Sequence, residues 1–421
     1  SLSGSTSPIF SNLNGSGVII GVSDTGIDEN SCYFRDMEHG KVPRAGYEDA
    51  VFDLKYRKVI QYVNFSGSGG DYASGHGSHV SGTLAGYCQY DSNNDAKNLY
   101  KGIASAAKLA FFDIGTDTGE QTLTIPIDLG VGIFGSAYKA GARIHSNSWG
   151  GGYSFDSTCI DTDQFMYENQ DFLILFAAGN SGSSGIETIL SPSNSKNAIT
   201  VACSNTGHTA YQNIDKISYF SSQGPTLDGR MKPDITAPGN YIFSAKASSE
   251  HSYDTTCATT TKQGTSMATP VTAGNAALLY QYFIDDHFWA ASCNPNHLFC
   301  KPFAPSASLL KALLLQSGKA LTGYDGNSAV HLTDPPDVYQ GYGRVNLDSI
   351  LNSHLFVDQS YLTELTKNTY SIQLNSSNVQ LKVTLCWMDP PNEAFSAKYL
   401  LHDLDLVVTD PAGNIFYGNS F

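Results

Sequence analysis

The chain has 421 residues, 41% hydrophobic and 15% charged, which suits a globular protein with room for one large domain and a smaller one. Its formal net charge of −15, with no long basic run, excludes a binder that holds phosphates through clustered Lys and Arg. No apolar run reaches membrane-spanning length.

The first residues, "SLSGSTSPIF", lack Met and a signal-like apolar run, so an excised domain or processed form is expected. Residues 17 to 350 then alternate two kinds of segment. "GVIIGVSD", "AKLAFFDIG", "ARIHSNSWG", "FLILFAAGN" and "AITVACS" are short, apolar and bounded by Gly or polar residues, as buried strands are. Between them, "HGSHVSGTLAGY", "LGVGIFGSAYKAG" and "IDTDQFMYENQ" are helical candidates. A helix over 265–284, capped by Thr265 or Ser266, and the amphipathic "SASLLKALLLQSG" complete the series. Such alternation predicts an α/β fold with a mostly parallel sheet and chemistry at the carboxyl ends of its strands. From about residue 354 the runs "NTYSIQL", "VQLKVTLCWMD", "LLHDLDLVVTD" and "NIFYGN" are β-rich, which predicts the start of a β-sandwich. The domains expected are therefore 1–353 and 354–421, the second incomplete, with the natural protein continuing beyond it.

The cysteines number eight, and none forms a C-x-x-C pair. Cys203 and Cys386 lie in apolar strand-like runs and are expected as buried thiols. Among the rest, Cys293 with Cys300, Cys32 with Cys88, and Cys159 with Cys257 are the expected disulfides. Asn-x-Ser sequons at Asn14, Asn64 and Asn375 fit a secretory route.

Four segments place polar groups where the fold alone does not require them. "GVIIGVSDTGID" ends a strand in Asp24, "GHGSHVSGTLAG" puts His76 at a helix start, "GTSMATP" carries Ser266, and "LILFAAGNSG" places Asn180 after a strand. A serine hydroxyl needs a base to take its proton, and a histidine base needs a buried carboxylate to fix its tautomer. The resulting oxyanion needs fixed donors such as an amide side chain and a backbone N–H. Ser266, His76, Asp24 and Asn180 fill those roles.

"DTGID", "GHGSHVSGTLAG", "NSWGG", "AAGNSG" and "GTSMATP" resemble, in order, the motifs of the subtilisin-like serine proteases, over roughly residues 12 to 350. The resemblance implies the three-layer subtilisin-like fold, with Asp24, His76 and Ser266 as triad and Asn180 in the oxyanion hole. It implies substrate binding along Ser148, Trp149 and Gly150, and beside Ala178, Gly179 and Leu190. It makes His79 structural rather than a metal partner of His76. "TLCWMDPP" and "LHDLDLVVTDPAGNIFYGN" resemble the KP-43-like branch, which carries a C-terminal β-sandwich. Ser78 stands where the family usually has Thr.

The family's primary specificity pocket lies between the Ser148–Gly150 segment and the stretch after Asn180. Glu187 is the acid in that stretch, and its neighbours read as a surface loop, so an apolar P1 preference is expected. Leu190 at the pocket floor favours Leu, Met or Ala over Phe or Tyr. The resemblance also implies a peptide or protein substrate, a propeptide in the precursor, and a secreted or lumenal location. No cofactor is needed for the chemistry. A structural Ca²⁺ is weighed at Asp389, Asp403, Asp405 and Asp410 against their use as solvated turn residues. The alternatives are a convertase-like processing protease, for which the residues after "SWG" do not match, and a silent module that keeps the shell. Some amoebal members are fused to a membrane-spanning ABC transporter half, an architecture compatible with this composition.

Overall fold

The computed structural model describes residues 13–48, 51–67, 69–71, 75–89, 99–116, 122–208, 213–248, 257–285, 302–332, 334–350, 357–374, 381–393, 396 and 398–418. Seven strands form its parallel centre: β1 (Ile19–Asp24), β2 (Arg44–Ala45), β3 (Val59–Asn64), β4 (Lys108–Asp113), β5 (Ile144–Asn147), β6 (Leu173–Ala177) and β7 (Ile199–Ser204). Their order in space is β2-β3-β4-β1-β5-β6-β7. β8 (Lys216–Ile217) joins β7 antiparallel, and β9 (Ile235–Pro238) joins it in parallel. β6 and β7 are buried at every residue, which explains why their sequences are continuous apolar runs rather than alternating ones. β3, "VIQYVN", was not read from the sequence because two polar residues interrupt its apolar run; Gln61 is nonetheless buried, with its amide on Ser136 O at 3.2 Å.

The chain switches sides at β1. It runs through β3 and β4 on one flank, then returns to build β5 on the other. The carboxyl end of β1 is therefore the topological switch point of the sheet, where such folds open a crevice. Helices cover the sheet. The Thr265–Ile284 helix packs on β5, β6, β7 and β9 and against the His76–Ala85 helix. It is buried around nearly its whole circumference, as a helix enclosed by sheet and neighbours must be. Its N-cap is Gly264, with φ 151 and no side-chain cap, so Thr265 and Ser266 sit in the first turn and not at the cap as expected. β10 (Ile242–Ala245) and β11 (Thr259–Lys262) form a separate hairpin beside the His76–Ala85 helix. β12 (Gly323–Tyr324) and β13 (Asn327–His331) extend the main sheet past β8.

Of the four β-runs expected after residue 354, parts of two form a hairpin, β14 (Val407–Thr409) with β15 (Ile415–Tyr417). Among the described residues, the other two form no ladder, and Leu381, Val383 and Leu385 are exposed. A sandwich strand needs both a ladder partner and a facing sheet, and the described residues supply neither to them. What holds this region to the main α/β part is polar and aromatic. The Lys196 ammonium, 4% exposed, meets the Asp389 carboxylate and the carbonyls of Pro390 and Tyr399. Asp389 also accepts N–H groups of Leu401 and His402, each at 2.8 Å. Tyr399 stacks on Phe155 with ring centroids 3.9 Å apart.

The buried Lys196–Asp389 pair yields a prediction for stability. Asp389→Ala leaves the ammonium without its counter-charge, and the loss expected on breaking one side of such a pair is about 3–5 kcal/mol. Urea unfolding of the full chain measures it, and a loss below about 1 kcal/mol, the worth of an exposed pair, contradicts the anchoring role.

Candidate active site

Asp24 ends β1 at the switch point and is 1% exposed. Its Oδ1 lies 2.7 Å from Nδ1 of His76, whose side chain is 22% exposed. Two glycines make that reach possible. A Cβ on Gly77 would lie 2.0 Å from Gly26 O, so the helix start and the loop after β1 touch backbone to backbone. Burial works against charge on His76, but the Asp24 carboxylate beside it wins and holds its pKa above the usual 6.5. His79 is buried on the same helix, with Nε2 3.0 Å from Ile242 O and 3.2 Å from Thr260 O. Burial pushes its pKa down to about 4. It ties the helix to the β10–β11 hairpin, which agrees with a structural role.

Ser266 lies in the first turn of the Thr265–Ile284 helix. Pro270 carries no N–H, so the carbonyl four residues back, Ser266 O, loses its helical donor. Ser148 replaces it: Ser148 Oγ donates to Ser266 O at 2.8 Å. The Ser266 hydroxyl donates in return to Ser148 O at 3.1 Å. The helix that carries Ser266 is thus bonded reciprocally to the segment that follows β5. That segment is fixed from behind. Trp149 Nε1 donates to Ser23 Oγ at 2.8 Å, and Ser23 Oγ donates to Asn147 Oδ1 at 2.7 Å.

Asn180 is exposed at the end of β6, beside this helix start. Thr265 N–H donates to its Oδ1 at 2.9 Å, and Thr265 Oγ1 lies 3.1 Å from the same atom. A backbone N–H faces an acceptor, so the amide oxygen is the anchored atom and the NH₂ group is the one left to donate elsewhere. Leu190 lies between the two segments expected to line a pocket. Its N–H donates to Ala178 O at 3.0 Å, a Cβ on Gly179 would sit 2.6 Å from its Cγ, and one on Gly150 would sit 3.3 Å from its Cβ. Gly151 N–H bonds Ser191 O at 2.8 Å, which joins the two walls. Glu187 is exposed with φ 59, as a surface-loop residue should be.

The sequence reading brought Asp24, His76, Ser148, Trp149, Ser266, Asn180 and Leu190 to one end of the sheet, and missed the groups that hold them. Thr265, Ser23 and Thr25 are short polar residues inside motifs already read, and Asp71 precedes the His76 segment without a motif of its own. The disulfide expectation is corrected. Cys32 is bonded to Cys257, and Cys88 Sγ lies 3.3 Å from Cys257 Sγ. Bracketing in sequence misled here, because the segment entering β11 returns from the far end of the chain to the Cys32 loop. Cys159 is instead buried in the Ser157–Glu168 helix with Sγ 2.7 Å from Asn194 Oδ1, and burial pushes its thiol up to about 12. Cys293 and Cys300 lie outside the described residues. Of the acids weighed for calcium, Asp389 serves the Lys196 anchor, and Asp410 accepts turn N–H groups of Ala412 and Asn414 at 2.9 and 2.8 Å. Asp403 and Asp405 are exposed.

The described residues contain no helix long and apolar enough to cross a membrane. The chain is 28% identical to tagD of Dictyostelium discoideum, a serine protease/ABC transporter B family protein, across 97% of this chain and 28% of that one. The chain thus spans about 28% of the length of this relative and a similar share of tagB, so it corresponds to a part of such proteins. It is 31% identical to the serine protease AprX of Bacillus subtilis over 64% of this chain and 58% of the other. Among solved structures, Sphericase superposes with a TM-score of 0.51 at 23% identity, covering 79% of this chain and 92% of its own. That likeness bears on the fold and agrees with the parallel sheet and enclosed helix described above. The model of the subtilase family matches residues 15–341, a span that holds all four polar segments, and the chain belongs to that family of serine-type endopeptidases.

Proposed function

We propose that Asp24, His76 and Ser266 form the catalytic triad of this endopeptidase and that Asn180 stabilises its oxyanion. The observation that carries the reading is the Asp24–His76 contact of 2.7 Å at the carboxyl end of β1, with Ser266 bonded to Ser148 just past neighbouring β5 and Asn180 bonded to Thr265 beside it. Ser266 Oγ leaves Ser148 O, gives its proton to His76 Nε2 and attacks the scissile carbonyl. Asp24 keeps the imidazole in the Nδ1–H tautomer and stabilises the imidazolium. The Asn180 NH₂ group and the Ser266 N–H donate to the oxyanion. The imidazolium returns the proton to the leaving amine, and water then hydrolyses the acyl-enzyme with His76 as base again. All groups in this scheme belong to the protein, and no cofactor enters it.

The substrate is a peptide or protein lying along Ser148, Trp149 and Gly150, with P1 between that segment and Ala178–Gly179. Leu190 closes the floor, and the acid of the nearby loop, Glu187, is exposed, which argues for an apolar side chain and against a convertase-like basic one. The Cys32–Cys257 bond supports an oxidising, lumenal or extracellular setting for this region, with membrane attachment and a propeptide supplied by other parts of the precursor.

A fluorophosphonate probe tests the triad. The protein is expected to be labelled at Ser266, and Ser266→Ala to remain folded and unlabelled. Labelling should rise with pH as His76 loses its proton, with a midpoint above 6.5 because the folded environment favours the charged form. A silent module does not react, and a midpoint below about pH 5 rejects a histidine base. Peptide-library cleavage tests the pocket. Leu, Met and Ala at P1 are expected ahead of Phe and Tyr by about 1–3 kcal/mol in kcat/KM. Dominant cleavage after Lys or Arg contradicts an uncharged pocket, and dominant cleavage after Phe or Tyr contradicts a Leu190 floor.

A further inference from the structure

The inference rests on the triad reading above and concerns what holds His76 in place. The His76–Ala85 helix begins without a cap of its own: Gly75 occupies the N-cap with φ 62 and makes no side-chain bond. The N–H groups of a first helical turn lack intrahelical partners and must find them elsewhere. Here they come from outside the helix. Gly77 N–H donates to Thr25 Oγ1 at 2.9 Å, and Ser78 N–H donates to Asp71 Oδ2 at 2.6 Å. Thr25 Oγ1 lies 2.9 Å from Asp71 Oδ1 and 3.2 Å from Asp24 Oδ1. One hydroxyl thus stands between two carboxylates, and its contact with Asp71 is the shorter of the two. Asp71 is 1% exposed, too deep for a substrate side chain to reach.

We propose that Asp71 is a positioning residue of the triad: through Ser78 N–H and the Thr25 hydroxyl it fixes the helix that carries His76 against the Asp24 loop, and its negative charge favours the imidazolium that forms as Ser266 gives up its proton. A carboxylate at a helix N-terminus is stabilised there by the helix dipole. Two charges near an imidazole act together where one alone is opposed by burial. Among the described residues, the charged and titratable groups around the pair are few. Asp24 ends β1, Lys262 ends β11 and opposes the charging of His76, and His79 follows on the same helix. Asp113 at the end of β4 accepts from Tyr62 OH of β3 at 2.5 Å, and the Asp71 charge opposes its ionisation, while the like charge that opposes ionisation of Asp71 is Asp24. Arg44 lies over the Tyr62 ring at 3.7 Å. Burial pushes Asp71 itself up to about 6, so its charge is present at and above neutral pH, where a histidine base works.

The test is Asp71→Asn, which keeps the shape and an acceptor for Ser78 N–H but removes the charge. The expected result is a loss in kcat/KM of about tenfold, mostly in kcat, with the acid limb displaced to lower pH by about 0.5–1 unit. A purely structural residue would not move that limb. An unmoved limb in a folded Asp71→Asn protein that still reacts with a fluorophosphonate overturns the proposal. Where Asp71→Asn gives no folded protein, Asp71→Glu decides, because it keeps the charge and disturbs the two short contacts. It should keep the limb of the starting protein with a lower kcat, and a lowered limb or an unchanged kcat overturns the proposal. A starting protein that fails to react at Ser266 overturns the triad reading itself and this proposal with it, a result separable from the others by labelling alone.

Discussion

The hydrogen bond between Asp24 and His76 joins the sheet to a helix across the switch point, and much of the site is arranged to make it. Asp24 pairs with Asp113 of β4, and Ser23 before it pairs with Asn147 of β5, so the end of β1 is fixed from both flanks. His76 arrives on a helix whose first turn is pressed against the Asp24 loop. Neither group is held by its own flexibility. A buried carboxylate is costly unless paired, and here the pairing is with the group whose charge it must stabilise.

The same economy of short contacts recurs at Ser266. Proline in the helix interior usually costs a hydrogen bond, yet the carbonyl it leaves free is taken by Ser148 from the substrate-side segment. The defect in one helix thus becomes the joint between two parts of the site. Asn180 follows similar logic. Its oxygen is held by Thr265, the residue immediately before Ser266, so the proposed oxyanion donor and the proposed nucleophile share one anchor. Such anchoring leaves little reorganisation for the reaction itself, which is what preorganised electrostatic stabilisation requires.

How much of this was legible in the sequence depends on the range of the interaction. Buried parallel strands announce themselves as apolar runs, and β1, β4, β5, β6 and β7 were read that way. The residues of the proposed triad and oxyanion site sit inside local motifs at strand ends and helix starts, so Asp24, His76, Ser266 and Asn180 could be picked out by type. What could not be read is long-range pairing. Cys32 with Cys257, separated by 225 residues, and Lys196 with Asp389 depend on where loops return in space. Thr25 and Asp71 escaped for a different reason: a threonine and an aspartate near a turn ordinarily serve as local caps, and only the fold shows that they cap the helix of His76. Two of the four β-runs after residue 354 show the converse limit: among the described residues they have no ladder partners and form no strand, while parts of the other two pair as β14 and β15.

The measurement closest to the heart of this account is the steady-state rate of Asp24→Asn. The substitution preserves size and hydrogen-bonding capacity but removes the charge that fixes the tautomer and stabilises the imidazolium. The account predicts a fall in kcat of about 10⁴-fold with little change in KM and an unaltered fold. A folded variant that keeps kcat within about tenfold of the starting enzyme would contradict it, since the Asp24–His76 bond would then orient a histidine without taking part in its charge.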